Sequence, residues 1–204
     1  KEEARDFALW KAWTEEDGDV FWNTKLGKGR PGWHIECSVM SMKYLKSVDI
    51  HGGGVDLIFP HHENEIAQSE ASTGKKFSKY WVHCEHLMVD GRKMSKSLGN
   101  FFTLRDIMEK CGDPIAFRYL AMSSHYRSRL NFTLAALEDA KKTVENINDF
   151  VQRLSWTAQR TRAKPNHKLH VAIKKARERF EKAIDNDLNT PSALASVFGL
   201  MKAA

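Results

Sequence analysis

Three cysteines, Cys37, Cys84 and Cys111, are all that 204 residues offer. An odd number without framework spacing argues against a disulfide scaffold and for a reduced, cytoplasmic setting. No apolar run is long enough to cross a bilayer, and the opening KEEARDF has neither the basic nor the apolar segment of a signal peptide. No membrane partner is expected. Residue 1 is not Met, so a fragment or a processed piece is expected. No internal repeat or low-complexity tract breaks the chain.

What remains is 42% hydrophobic and 28% charged, enough to bury the core of one large domain or two smaller ones. Lys and Arg number 32 against 26 Asp and Glu, a net charge of +6. That excess suits a polyanionic partner such as nucleic acid, although many metabolic proteins share it.

Residues 1 to 32 read as an aromatic opening, DFALWKAW, followed by a loop rich in Gly and charge. WHIECSVMSMKYL, 33 to 45, has the spacing of a short buried helix. Val48 to His51 reads as a strand running into a turn at Gly52, Gly53 and Gly54, where backbone N–H groups can approach a ligand. Pro60 is placed to open the helix that contains HHENEIAQSE. YWVHCEHLMV, 80 to 89, alternates as a strand does and ends in the Asp90-Gly91 turn. The repeated strand, turn and helix predict an α/β sheet domain to about residue 102.

Beyond it the pattern turns helical. Thr103 with Asp106 forms a variant capping box, and Asp113-Pro114 marks a second helix start. Leu137, Ala140, Val144, Ile147, Val151 and Leu154 form the stripe of a long bundled helix. A basic linker, SWTAQRTRAKPNH, leads to a helix with Leu169, Ile173, Ala176 and Phe180 on one face, and Asn189-Thr190-Pro191 opens a third.

On a helix His61 and Glu65 share a face, four residues apart. Cys37 is the obvious third ligand, and a Cys/His/Glu set suits zinc by ligand type. The spacing leaves His62 open in place of His61, and His34 as a further candidate. Without a metal the same residues are a charged first turn and a small buried cysteine. In KMSKSLGN, 93 to 100, Lys93 and Lys96 lie in a loop of small residues after a strand and a Gly turn. Lysines so placed can close over a triphosphate and neutralise the departing pyrophosphate; otherwise the loop is a solvated basic hairpin tip.

GRPGWHIEC (29–37), DIHGGGVDLIFPHHENEIAQSEA (49–71), KMSKSLGNFFT (93–103) and DNDLNTPSALA (185–195) together resemble the cysteinyl-tRNA synthetases, class I aminoacyl-tRNA synthetases, over nearly the whole chain. The resemblance implies the C-terminal half of a Rossmann-type catalytic domain over 1–102, stem-contact helices over 103–130, and the start of a helical tRNA-binding bundle over 131–204. It implies one zinc ion on Cys37, His61 and Glu65, with a fourth ligand and the HIGH signature outside this chain. It implies ATP as substrate with Mg, its adenylate near Gly52, Gly53 and Asp56, and Lys96 as the main ATP-contacting lysine with Lys93 assisting. Trp33 and His51 would line the pocket for cysteine, and tRNA-Cys would be the acceptor, on a cytoplasmic monomer.

Zinc would then select the cysteine thiol against serine, and Glu65 would be a ligand rather than a general base. Arg127, Arg129 and the Arg160–Lys164 stretch are candidate RNA backbone contacts. HCEHL, 83 to 87, departs from the family, where a small residue or Gly stands at position 85. Two other readings share these residues: the zinc-dependent ligase that joins cysteine to an inositol-linked glucosamine, and a zinc-stabilised module that binds tRNA without activating cysteine. Intact HGGG, ENE and DNDLNTP favour the synthetase over the first. The fragment alone is expected to be inactive.

Overall fold

A computed structural model describes residues 6–160 and 166–204. The chain forms two compact units, Lys1–Cys84 and Glu85–Ala204.

The first unit opens on an antiparallel sheet where a loop was expected. Strands β1 (Trp10–Ala12), β2 (Trp22–Thr24) and β3 (Gly27–Pro31) lie in the order β1-β3-β2. Two of these strands span three residues, too few for alternation to register. Gly29 pairs with both neighbours. A Cβ there would run into the Lys11 carbonyl and sit 2.7 Å from Trp10 Nε1, so only glycine lets the strands close. On β3 the Lys28 Nζ rests 3.2 Å from the Trp13 ring centroid, and Arg30 Nε pairs with Asp17 Oδ1 at 2.7 Å.

Helix α1 (Trp33–Leu45) then forms over the expected residues. Strand β4 (Val48–Gly54) differs from expectation, because it continues straight through the three glycines. Gly52, Gly53 and Gly54 pair in parallel with Val82, His83 and Cys84 of β5 (Ser78–Cys84). Pro60 does not open the next helix. Phe59 is extended (φ -133, ψ 132), and short turns occupy Val55–Leu57 and Ile58–His62. Helix α2 therefore covers Glu63–Thr73 and ends on Gly74 at φ +65, a left-handed cap suited to glycine. β4, α2 and β5 make one strand–helix–strand crossover with parallel strands.

In the second unit the expected single strand over 80–89 is interrupted at Glu85 and His86, leaving β6 (Leu87–Val89) apart from β5. Asp90 and Gly91, at φ 48 and φ 74, turn β6 into β7 (Arg92–Lys93) as a tight hairpin. Helices α3 (Leu104–Cys111) and α4 (Pro114–Met122) connect to β8 (Leu130–Phe132), which is parallel to β6. Both starts are built as read: Thr103 and Asp106 close a reciprocal capping box, and Asp113 Oδ1 accepts the Ile115 N–H at 2.8 Å. Val89, Ile107, Ala116, Leu120, Phe132, Leu137 and Ala140 form the core.

Helix α5 spans Leu134–Arg160, running past the point where a linker was expected. Its stripe buries Leu137, Ala140 and Val144, while Val151 and Leu154 are exposed. Of the Arg160–Lys164 stretch, only Arg160 lies within the described residues. Helices α6 (His167–Asp185) and α7 (Thr190–Ala203) follow, capped by Asn166 and Asn189. No described helix is long and apolar enough to cross a membrane.

Candidate metal and substrate site

The interior of the first unit is unusually polar. Among its described residues the buried hydrophobics are Val48 and Phe77, whereas Ser38, His61, His62, Asn64, Glu65, Ser69 and Ser78 are buried too. Burying so many polar groups costs stability unless each finds a partner. Where partners are missing, the arrangement points to a ligand.

Glu65 is the extreme case, at 0% exposure. His61 Nε2 stands 3.1 Å from Oε1, and His51 Nε2 stands 2.9 Å from Oε2. Neither oxygen receives a hydrogen bond of acceptable direction, so both are buried without a donor. Cys37, on the same wall, completes a set in which the ligand atoms of Cys37, His61 and Glu65 lie within 4.8 Å of one another. The turn over Ile58–His62 carries His61, yet the i, i+4 relation to Glu65 survives because α2 starts immediately afterwards.

Two helices hold this wall together. The Ser38 hydroxyl of α1 shares its one proton between Gln68 Oε1 of α2, at 2.9 Å, and the His34 carbonyl, at 3.0 Å. Only a small residue at position 38, 1% exposed, lets the helices approach this closely.

Burial pushes the Glu65 carboxyl up to about 7. Burial, followed by the nearby Glu65 charge, pushes the Cys37 thiol up to about 11. Burial also lowers His61, with His34 and His51 adding to it, and lowers His62 to about 4 with help from His51 and His83. Neutral imidazoles, a carboxyl reluctant to ionise alone and a thiol that resists losing its proton share one remedy. A cation would supply the missing charge to both acids. Donor chemistry, burial and the orphaned oxygens therefore fit a soft divalent ion such as zinc.

The candidate histidines fall into two groups that both include Glu65, one with Cys37 and His61 and one with His51 and His62. His34 Nδ1 lies 2.7 Å from His61 Nδ1, so His34 backs His61 from behind. His62 groups instead with His51 and Glu65, and its Nδ1 lies 2.8 Å from His83 Nε2. Gly53 makes room for that ring, since a Cβ there would come within 2.7 Å of His62 Cε1.

Trp33, at the start of α1, places its ring 4.3 Å from His61, and His51 lies between His62 and Trp81, at 4.8 Å from each ring. Trp81 and His83 were not singled out from the sequence. Their signal was present: i, i+2 spacing on β5 puts both on one face, and parallel register sets them beside His51 and Gly53. Asp56 stands in the turn after β4, its Oδ1 so close to Gly54 that a Cβ would collide with it. Gly52 sits one residue beyond His51 on the strand, in line with the other predicted positions.

Lys93 and Lys96 lie in the second unit. Lys93 ends β7, and Lys96 begins a turn whose two ends are stapled by Asn100. That side chain accepts the Ser95 N–H at 2.9 Å and donates to the Lys93 carbonyl at 3.1 Å. The loop is thus a closed turn with both lysine side chains exposed. Arg127 and Arg129 are both engaged internally, with Asp187 and with Glu85, the residue that departs from the family pattern. Cys37 and Cys84 are free thiols.

The family model described as tRNA synthetases class I (C) catalytic domain matches residues 1–142, and that of the DALR domain matches 179–204. A cysteine–tRNA ligase of Brachyspira hyodysenteriae is 53% identical over 203 residues, which is 99% of this chain and 43% of the relative. The enzyme of the same name from Protochlamydia amoebophila is 48% identical, covering 99% of this chain and 42% of its own length. The chain thus spans about two-fifths of these curated relatives. Among solved structures, the LeuRS–tRNA–LeuAMS ternary complex of Agrobacterium radiobacter K84 superimposes with a TM-score of 0.70 at 14% identity, over 93% of this chain and 29% of that one. This likeness bears out the fold, an α/β catalytic domain followed by a helical part.

Proposed function

The chain belongs to the family of class I (C) tRNA synthetase catalytic domains, and from that membership we propose that the full protein activates cysteine with ATP and joins it to tRNA-Cys. The observation that carries this reading is the buried Glu65 carboxylate, without a hydrogen-bond donor and grouped with Cys37 and His61. In this reading Cys37, His61 and Glu65 hold zinc, which when bound supplies a thiophilic centre that a cysteine sulfur satisfies better than a serine hydroxyl. Shape alone separates two such near-isosteres by only about 1–3 kcal/mol.

The other residues follow from their places. Trp33 and His51 wall the amino-acid pocket and keep water from it. Gly52, Gly53 and Asp56 stand where the adenylate and its ribose would lie, with ATP arriving as its Mg complex. The cysteine carboxylate attacks the α-phosphorus, the bond to the β,γ-phosphates breaks, and pyrophosphate leaves with its charge met by Lys96 and Lys93. The terminal ribose hydroxyl of tRNA then attacks the carbonyl of cysteinyl-adenylate and AMP departs. Glu65 is a ligand here, and no general base is asked of it. The segments 1–102, 103–130 and 131–204 would serve catalysis, stem contact and RNA binding in turn. The setting is a cytoplasmic monomer, supported as to compartment by thiols without framework spacing.

The test supplies the full-length protein with labelled cysteine or serine, ATP and tRNA, and counts acid-precipitable label. Cysteine should enter RNA with kcat/KM at least about 10⁴ above serine, and Lys96→Ala should abolish it. Comparable entry of serine would sink the metal-selection reading, and failure of any label to reach RNA would sink the synthetase reading itself.

A further inference from the structure

In the second unit, one short segment grips a single carboxylate far along the chain. The Tyr126 hydroxyl donates to Asp187 Oδ1 at 2.5 Å. Arg127 Nε stands 2.8 Å from Asp187 Oδ2, Nη2 donates to Oδ1 at 3.3 Å, and Nε also donates to the Tyr126 oxygen at 3.0 Å. The His125 ring stacks on Tyr126 at 4.9 Å, and its Nδ1 accepts the Arg127 N–H at 3.2 Å. His125 Nε2 stands 4.0 Å from Oδ2 of the same carboxylate. The Tyr126 hydrogen bond, with Arg127 adding to it, holds the Asp187 carboxyl below its ordinary value.

The carboxylate sits at a conformationally costly place. Asp187 (φ 57) and Leu188 (φ 53) are consecutive left-handed residues, neither of them glycine. They form the turn from α6 into α7. Leu188 N–H bonds the Ile184 carbonyl, Asn189 N–H bonds the Ala183 carbonyl, both at 3.0 Å, and Asn189 Oδ1 then caps α7 through the Ser192 N–H at 3.1 Å. Two left-handed residues persist only where surrounding contacts over-determine them. The direction in which α7 leaves α6 is set in this turn, and the turn is tied by its side chain to residues 125–127.

An exposed ion pair alone would contribute little. Here, however, the carboxylate takes a phenol donor and one guanidinium donor, Nη2, while Nε stands 2.8 Å from its other oxygen and donates to the phenol, so the guanidinium is occupied by the protein itself. We propose that Asp187 is a positioning residue for the tRNA-dependent step: through Tyr126 and Arg127 it fixes the α6–α7 hairpin for tRNA, and Arg127 serves this clasp rather than an RNA phosphate. The proposal rests on the synthetase reading above.

The test uses the full-length protein and the variants Asp187→Asn, Tyr126→Phe and Arg127→Gln. Cysteine-dependent ATP–pyrophosphate exchange should be unchanged in all three. Each should raise the KM for a tRNA-Cys transcript by roughly tenfold, the worth of a charge-assisted hydrogen bond. Combined changes should not add, since one unit is broken. The dependence of KM on salt should keep its slope, because no phosphate contact is lost.

A wild-type KM in Asp187→Asn overturns the proposal. So does a rise confined to Arg127→Gln with the salt slope reduced by about one, which marks a phosphate contact. Hydrogen exchange at the amides of 188–190 and 192 reads the clasp without any activity. It should quicken in Asp187→Asn and in Tyr126→Phe, the milder change, and unaltered protection there refutes the clasp even if the synthetase reading fails.

Discussion

Glu65→Gln should have opposite effects on the metal-free and the metal-loaded protein. The carboxyl is fully buried and receives no hydrogen bond, and burial raises it from an ordinary 4.5 to about 7. A folded-state value above the unfolded one stabilises the protein fully below pH 4.5 and ceases to do so as pH rises through about 7. A shift of that size corresponds to roughly 3 kcal/mol lost by the metal-free protein between those limits. Glutamine has no charge to bury, so the variant should show no such fall. At pH 8 in chelator, Glu65→Gln should therefore be the more stable protein, by up to about 3 kcal/mol less the cost of an imperfectly bonded amide.

Zinc reverses the order. A ligand at about 1,000 times its Kd stabilises by ~4 kcal/mol, and the amide forfeits most of this. Urea unfolding at pH 5 and pH 8, with chelator and with zinc, measures all the values required. A metal-free Glu65→Gln protein less stable than the wild type at pH 8, or one that zinc stabilises equally, would refute the reasoning.

Zinc binding should also release protons, because the Cys37 thiol stands at about 11 and Glu65 at about 7. Titration calorimetry in two buffers of different ionisation enthalpy should count about one proton at pH 8 and approach two at pH 6; a count near zero at both would exclude Cys37 as a ligand. Gly53→Ala places a methyl 2.7 Å from His62 and 3.0 Å from Leu57 Cδ1 and should cost about 1–3 kcal/mol in urea unfolding, accompanied by weaker zinc binding. Thr103→Ala opens the α3 capping box and should cost about 1 kcal/mol while leaving zinc content unchanged, as metal analysis of the same samples would show.

How far the sequence spoke depended on the range of the signal. Thr103, Asp113 and Asn189 mark helix starts through bonds to amides two or three residues away, and each start formed as written. Glycines misled because they usually punctuate. In β4 they extend the strand, since the parallel partner needs only backbone and the His62 ring needs the space of an absent Cβ. Pro60 was a sound local start signal, with Phe59 before it extended as a proline demands, but the turn over Ile58–His62 comes before α2 proper. The stripe of α5 was legible along its length, but burial at Leu137 and Ala140 depended on the core they share with α3 and α4, which no periodicity shows.

The site divides in the same way. His61 and Glu65 are neighbours by helical spacing, so their pairing could be read locally. Cys37 lies on another helix, so ligand type and the family resemblance, not spacing, joined it to them before the structure did. Trp81 and His83 required the β4–β5 register, a long-range fact. Arg127 gave no local sign of its partner, Asp187, which is 60 residues away.

The central claim, that Cys37 and the buried His61 and Glu65 hold a metal that selects a thiol, is tested most directly with cobalt in place of zinc in the full-length protein. Thiolate-to-cobalt charge transfer absorbs in the near ultraviolet, and each bound thiolate adds to it. Titration with cysteine should intensify that band to saturation, while serine at the same concentrations should leave it unchanged. No response to cysteine, or an equal response to serine, would contradict the account.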